Sequence, residues 1–459
     1  MPTTLPVSTR AARPAGAMPW SAASAFGVRS GRALLRARML FVLPALAALL
    51  AARSLAQAPA QPAMDEPDPP QEPQTRAEVI EAARNIRVSH FHPHHLNPVV
   101  NAAEQFVSHG LAAWNASQNG VHGLSLNVGG LSIGSQIALG PEYVLKAGDY
   151  YQPQLIWDTY AVAATDKSYR IQSGVLLPRL AKGRAFFGLN AYRYEYTRLN
   201  YFGPGPDSVQ SGVSNYSQRE SGVEVRGGII AHRHLRTGFT GSYRAIAIGP
   251  GTSANLPPTD AIYTVATARG IDRQTSFLTG GFFFEYEGRD QPTDPHHGAY
   301  FQAAFQNVNG RRRALGGFNQ YDFDAQLYIP FWNHRRIIAF RGRASLTDPH
   351  QNTFVPFYLG PHLGGSDDLR GFSSFRFHDQ NSVIATAEYR WTVMPLLDMT
   401  LFADAGKVFH DVDNMSSAHF MSDIGFGFRA RSGNSAPIKL DVGISREGVQ
   451  VWLIFSNPF

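Results

Sequence analysis

From Asp322 to Phe331 polar and apolar side chains take turns, with Asp322, Asp324, Gln326 and Tyr328 on one face and Phe323, Ala325, Leu327, Ile329 and Phe331 on the other. A period of two is the period of side chains on a β-strand. It recurs where Ile438, Leu440, Val442 and Ile444 interleave with Lys439, Asp441, Gly443 and Ser445, and where Ile424, Phe426, Phe428 and Ala430 oppose Gly425, Gly427 and Arg429. A soluble sandwich alternates too, but three features favour an all-β, transmembrane antiparallel β-barrel. Candidate strands run roughly 10 to 14 residues, nearer the ~9–11 of a tilted membrane strand than the ~5–6 of a globular one. Aromatics crowd strand ends at Trp332, Tyr389, Trp391, Phe455 and Phe459, as interfacial girdles do. An export leader with a terminal Phe also fits a periplasmic sandwich poorly.

Strands are expected to begin near residues 122, 132, 152, 167, 183, 214, 235, 272, 298, 317 and 334, then near 382, 397, 418, 435 and 449. That is about 16, an even number as single-chain bacterial barrels require. The first and third alternate poorly. Long connections at 202–212, 249–260 and 346–374 are assigned to the exterior, where barrel loops are long.

The leader explains the charge. Residues 1–56 hold seven arginines and no acid, so removing them turns the formal +6 into −1. The basic balance belongs to that segment, and a nucleic-acid partner loses its main support. Arg32, Arg36 and Arg38, the apolar run Met39 to Ala52 and the small-x-small site Ser54-Leu55-Ala56 make a cleavable signal peptide over 1–56. Its fourteen apolar residues are too few to cross a bilayer of roughly 30 Å as a helix. Residues 57–74, with six prolines, form a disordered tether. Residues 75–120 make a periplasmic helical segment, with candidate short N-terminal helices at Arg76 to Arg84 and Asn97 to Trp114, and the barrel occupies 121–459. The chain has no cysteine, which excludes disulfides, a lipidated Cys and thiolate metal sites.

Residues 364–372 read Gly-Gly-Ser-Asp-Asp-Leu-Arg-Gly-Phe. Gly364, Gly365, Leu369, Arg370, Gly371 and Phe372 resemble the sixth-loop signature of the bacterial surface antigen family of outer-membrane assembly and translocation barrels. That family includes the core subunit of the barrel assembly machinery and the two-partner secretion transporters. Gly288-Arg289-Asp290 with Asp294-Pro295 and Gly298, Glu388-Tyr389-Arg390, Phe402-Ala403-Asp404-Ala405-Gly406 and Phe459 agree with it, over roughly 120–459. The resemblance implies a bacterial outer-membrane protein whose loop 361–376 folds into the lumen, where its arginine meets acids on barrel strands. It also implies that Phe459 is read as a C-terminal insertion signal by the machinery that inserts barrels, and that Arg289, Asp290, Pro295 and Gly298 form a family turn.

Parity supplies the acids. Val383, Ala385, Ala387, Tyr389 and Trp391 are lipid-like, which sends Glu388 and Arg390 inward; Met399, Leu401, Ala403 and Ala405 likewise send Asp404 inward with Thr400. A guanidinium away from bulk water needs such carboxylates, and its planar fork suits bidentate contacts. The alternative is an exterior turn in which Gly371 supplies an unusual backbone angle.

The chain departs from the resembled family where polypeptide-transport-associated domains would stand, since only 75–120 precede the first strand. Either a separately encoded periplasmic partner docks clients, or the barrel is not a general assembly factor. His90, His92, His94 and His95 are interrupted by Pro93 without a neighbouring acid, so they read as a solvated linker rather than a metal site. No hydrolase, phosphate-loop or dinucleotide motif occurs, and neither a catalytic residue nor a cofactor is assigned. The expected role is non-enzymatic assembly or translocation of outer-membrane protein or lipid, with membrane lipids as partners. A passive solute pore lined by Asp322, Asp324, Arg429, Lys439 and Asp441 is the alternative, and an outer-membrane hydrolase a third reading.

Overall fold

A computed structural model describes residues 105, 108, 109, 123–131, 137–148, 152–273, 275–311, 316–332, 335–394, 396–412, 419–432 and 435–455, together with the short strand Ser24–Gly27. The rest of the leader, the tether, most of the helical segment, the His90–His95 cluster and Phe459 lie outside the described residues. Ser30–His109 forms a unit of its own, described only at the helical positions Gln105, Ser108 and His109.

The remaining unit is one antiparallel sheet of seventeen strands, of which Ser24–Gly27 is the shortest. The other sixteen are β1 (Leu124–Gly130), β2 (Ile137–Gly148), β3 (Pro153–Ala164), β4 (Tyr169–Leu180), β5 (Ala185–Tyr201), β6 (Ser214–His232), β7 (Leu235–Pro250), β8 (Thr275–Glu287), β9 (Gly298–Gly310), β10 (Gly317–Phe331), β11 (Arg336–Pro349), β12 (Asn381–Met394), β13 (Leu397–Phe409), β14 (Met421–Ser432), β15 (Ser435–Ser445) and β16 (Gly448–Phe455). Each pairs with the next in sequence, as Asp404 with Asp423 between β13 and β14. The poorly alternating first and third strands form where expected. β16 and β1 adjoin in the ring order, but no paired register joins them among the described residues; Ser24–Gly27 lies antiparallel on Trp452–Phe455 instead. The result is a nearly closed sixteen-stranded barrel.

Its polarity is inverted relative to a soluble core. Leu278, Phe282 and Ile424 are 64%, 68% and 63% exposed on the outer wall, whereas Asp404, Arg429 and Asp441 are each 1% exposed inside. Only a hydrocarbon surround makes that distribution favourable, and a closed ring of strands satisfies its own backbone there. Among the described residues no helix is long and apolar enough to cross a membrane.

Tight turns such as Ala181–Gly183 and 233–234 sit at one end, and the long connections 202–213, 251–274 and 350–380 at the other. The long connections pack together. The Phe357 ring lies 5.0 Å from the rings of both Tyr201 and Tyr216, and the Tyr201 hydroxyl donates to the Thr267 carbonyl. The Phe357 amide also donates to the Arg269 carbonyl, which ties the root of 350–380 to the connection before β8.

Candidate functional site: a buried loop arginine

The segment between β11 and β12 turns back on itself before entering the barrel. His362–Leu363 pairs with Phe377–His378 in a two-residue ladder. Gly364 and Gly365 follow with φ of +111° and +125°, left-handed angles that a side chain resists. The tip is then fixed by apolar burial: Leu369 and Phe372 are 0% exposed and pack with Leu363, Phe377, Ile384, Val408 and Met421.

Arg370 projects from this tip into the wall. Its Nε and Nη2 donate to the two oxygens of Asp404 at 2.8 and 3.0 Å, a bidentate grip. Nη1 donates to Glu388 at 2.6 Å and to Asp441 at 3.3 Å, and the guanidinium carbon lies 3.5 Å from the centre of the Phe402 ring. Glu388 also accepts from Arg390 Nε at 2.7 Å, and Asp441 pairs with Lys439 at 3.3 Å. Charges this deeply buried carry a large desolvation cost, which this mutual pairing offsets.

The backbone beside Arg370 is tied to the last two strands. Trp452 Nε1 donates to the Arg370 carbonyl at 2.6 Å, and the Ser445 hydroxyl to the Gly371 carbonyl at 2.7 Å. A Cβ on Gly371 would stand 2.5 Å from Asp423 Cβ and 2.9 Å from Ser445 Cβ, and one on Gly443 would strike the Arg370 carbonyl carbon. Gly371 is not among the positive-φ glycines. It is there for close approach, not for the unusual angle that an exterior turn would have required.

Higher in the loop, Arg343 of β11 pairs with Asp368. Arg376 donates to Glu447 in the β15–β16 turn at 2.8 Å and to the Ser208 hydroxyl at 2.8 Å. The rings of His362 and His378 lie 5.5 Å apart. Burial, aided by Arg343, pushes His362 down to about 4. Burial and the adjacent His362 hold His378 well below the ordinary imidazole range.

The structure thus brings Arg370, Glu388 and Asp404 together. Asp441, Trp452 and Ser445 were missed as partners, although alternation already placed Asp441 on the inner face. Of the residues grouped by sequence as pore lining, Arg429, Lys439 and Asp441 are 1%, 3% and 1% exposed and so do not face an open channel, whereas Asp322 and Asp324 are half-buried. The 288–297 turn is a separate feature. Arg289 chelates Glu287 and donates to Gln326 at 2.9 Å, Asp290 accepts from the His296 and His297 amides at 2.9 and 3.2 Å, and Gly298 has φ +104°. Pro295 is buried, beside Asp294, which reaches Arg431 of β14 at 3.3 Å. Among the described residues no group of side chains is arranged to hold a metal ion.

The profile of the Omp85 superfamily domain matches residues 160–450. The fold is similar to that of BamA from Haemophilus ducreyi lacking POTRA domains 1–3, with a TM-score of 0.52 at 15% identity, covering 73% of this chain and 70% of that one. CdiB from Escherichia coli gives 0.48 at 13% identity over 73% and 63%, and CdiB from Acinetobacter baumannii 0.40 at 12% over 72% and 58%. This chain therefore spans less than two thirds of either CdiB.

Proposed function

Because the chain belongs to the Omp85 superfamily, whose barrels reside in the bacterial outer membrane, we propose that it assists insertion or passage of polypeptides or lipids there, with Arg370 locking the lumenal loop. One observation carries the reading. The loop tip is held by acids on β12, β13 and β15 and by Trp452 of β16, and β16 adjoins β1 where the ring of strands closes. A loop gripping that boundary can couple its own position to the state of the seam. Fold alone does not fix function; the buried charges inside the wall are what disfavour a passive pore. A separately encoded periplasmic partner belongs to the same proposal, as does insertion of this barrel by the assembly machinery through Phe459.

The test is reconstitution of the full chain into liposomes with an unfolded client barrel, folding being followed by heat-modifiable gel mobility. Acceleration that weakens with Arg370→Ala is the expected result. A large, steady conductance without acceleration would sink the proposal.

A further inference from the structure

A different part of the wall carries charges that nothing above uses. On β5 and β6 the inner face is fixed by Tyr192 and Tyr194, whose hydroxyls both donate to Glu220, so Arg193, Glu195 and Arg219 point outward. Below them, towards the tight-turn end, the outer face is apolar, with Leu189 and Val223 42% and 44% exposed, and Ile171, 51% exposed, lies directly opposite Arg193 in the ladder. Above them lie the long loops. The arginines therefore stand where the hydrocarbon band meets the outer headgroup layer.

The charge there is not balanced. Glu195 lies opposite Arg219 in the ladder and accepts from its Nε and Nη2 at 3.0 and 2.9 Å. Among the described residues Arg193, two residues from Glu195 on the same face, donates only to the Tyr169 hydroxyl, at 3.2 Å. Arg198, exposed within the register shift of β5 between Tyr196 and Leu199, donates to the Thr252 hydroxyl at 3.3 Å. Lys167, in the neighbouring β3–β4 turn, is exposed as well. Among the described residues none of Lys167, Arg193 and Arg198 forms an ion pair, which leaves four cations against the partly exposed Glu195, the other acid of the patch, Asp166, being buried in the turn at 7% exposure. A lipid-facing arginine is unfavourable at the bilayer midplane and tolerated at its boundary, where an anionic headgroup within reach of a snorkelling side chain makes it favourable. Guanidinium forks suit phosphate in the same way as carboxylate.

We propose that Lys167, Arg193, Arg198 and Arg219 form a binding site on the outer wall for the phosphate groups of an outer-leaflet glycolipid. Tyr169, opposite Glu195 in the ladder, lies within the site, and Glu195 tempers its affinity by occupying Arg219. The full-length protein, folded in neutral detergent, is titrated by native mass spectrometry with bisphosphorylated lipid A, with fully dephosphorylated lipid A, and with inorganic phosphate as competitor. The bisphosphorylated lipid is expected to bind on the order of tenfold tighter than the dephosphorylated one, with the preference shrinking as salt rises. The triple variant Arg193→Gln, Arg198→Gln, Arg219→Gln abolishes the preference, and Glu195→Gln strengthens it. Equal binding of the two lipids overturns the proposal, as does a folded triple variant that keeps the preference, or full displacement by inorganic phosphate. Should the triple variant fail to fold, the lipid comparison on the unsubstituted protein and the Glu195→Gln result decide.

Discussion

Arg370→Ala removes the cation from the centre of the loop site, and the three acids do not suffer equally. Glu388 keeps Arg390 at 2.6 Å and Asp441 keeps Lys439 at 3.3 Å. Asp404, itself 1% exposed, loses the guanidinium that held both its oxygens and has no other ion pair among the described residues. Stranding one partner of a buried pair costs about 3–5 kcal/mol, and because the other two acids are only weakened, the lower end, about 3 kcal/mol, applies. That is on the order of a hundredfold in the ratio of docked to released loop. Limited chymotrypsin digestion measures it directly, because the cleavable Leu369 and Phe372 are both 0% exposed in the docked state. Cleavage of the alanine variant should accelerate by about that factor while the barrel itself stays heat-modifiable. Arg370→Lys should recover only part of the protection, since an ammonium cannot reproduce the fork on Asp404. Unchanged cleavage in both variants would refute the electrostatic account and leave apolar packing of Leu369 and Phe372 as the anchor.

Three further outcomes follow from the same geometry. Asp404→Asn should loosen the loop to a similar degree in the digestion assay, whereas Asp423→Asn, whose acid faces Asp404 across the ladder and makes no ion pair among the described residues, should leave it docked or tighten it. Gly371→Ala should lower thermal stability by about 1–3 kcal/mol through overpacking, because the added carbon meets the β-carbons of Asp423 and Ser445; an unshifted melting temperature would contradict this. Acidification should release the loop. His362 is held at about 4 against 6.5 when free, so its contribution is complete above about 6.5 and is lost as pH falls towards 4, roughly 2 kcal/mol of it by pH 5. Hydrogen exchange of the loop amides at pH 7 and pH 5, corrected for intrinsic rates and compared with His362→Leu, reads this window.

The wall was legible because lipid enforces it residue by residue. Phe323, Leu327 and Ile329 must face out, so Asp324 and Gln326 must face in, and the same parity carried Glu388 and Asp404 to the correct side. Parity assigns a face but not a height or a distance around the ring. Asp441 was therefore known to point inward without any sign that it lay beside Glu388. The reason for Gly371 was equally hidden, since a glycine required by a neighbouring strand and one required by its own φ look alike in sequence. Arg376 gave no signal at all, because its partners Glu447 and Ser208 lie 71 and 168 residues away.

The groups around Arg370 also set an order of events. Its partners lie 18, 34 and 71 residues along the chain, at Glu388, Asp404 and Asp441, and Trp452, which holds its carbonyl, lies 82 residues on. Until the C-terminal hairpin is seated, an arginine entering the wall would meet only part of its counter-charge, so early entry is uphill. The tip therefore seats last, and its arrival reports that the final strands are already home.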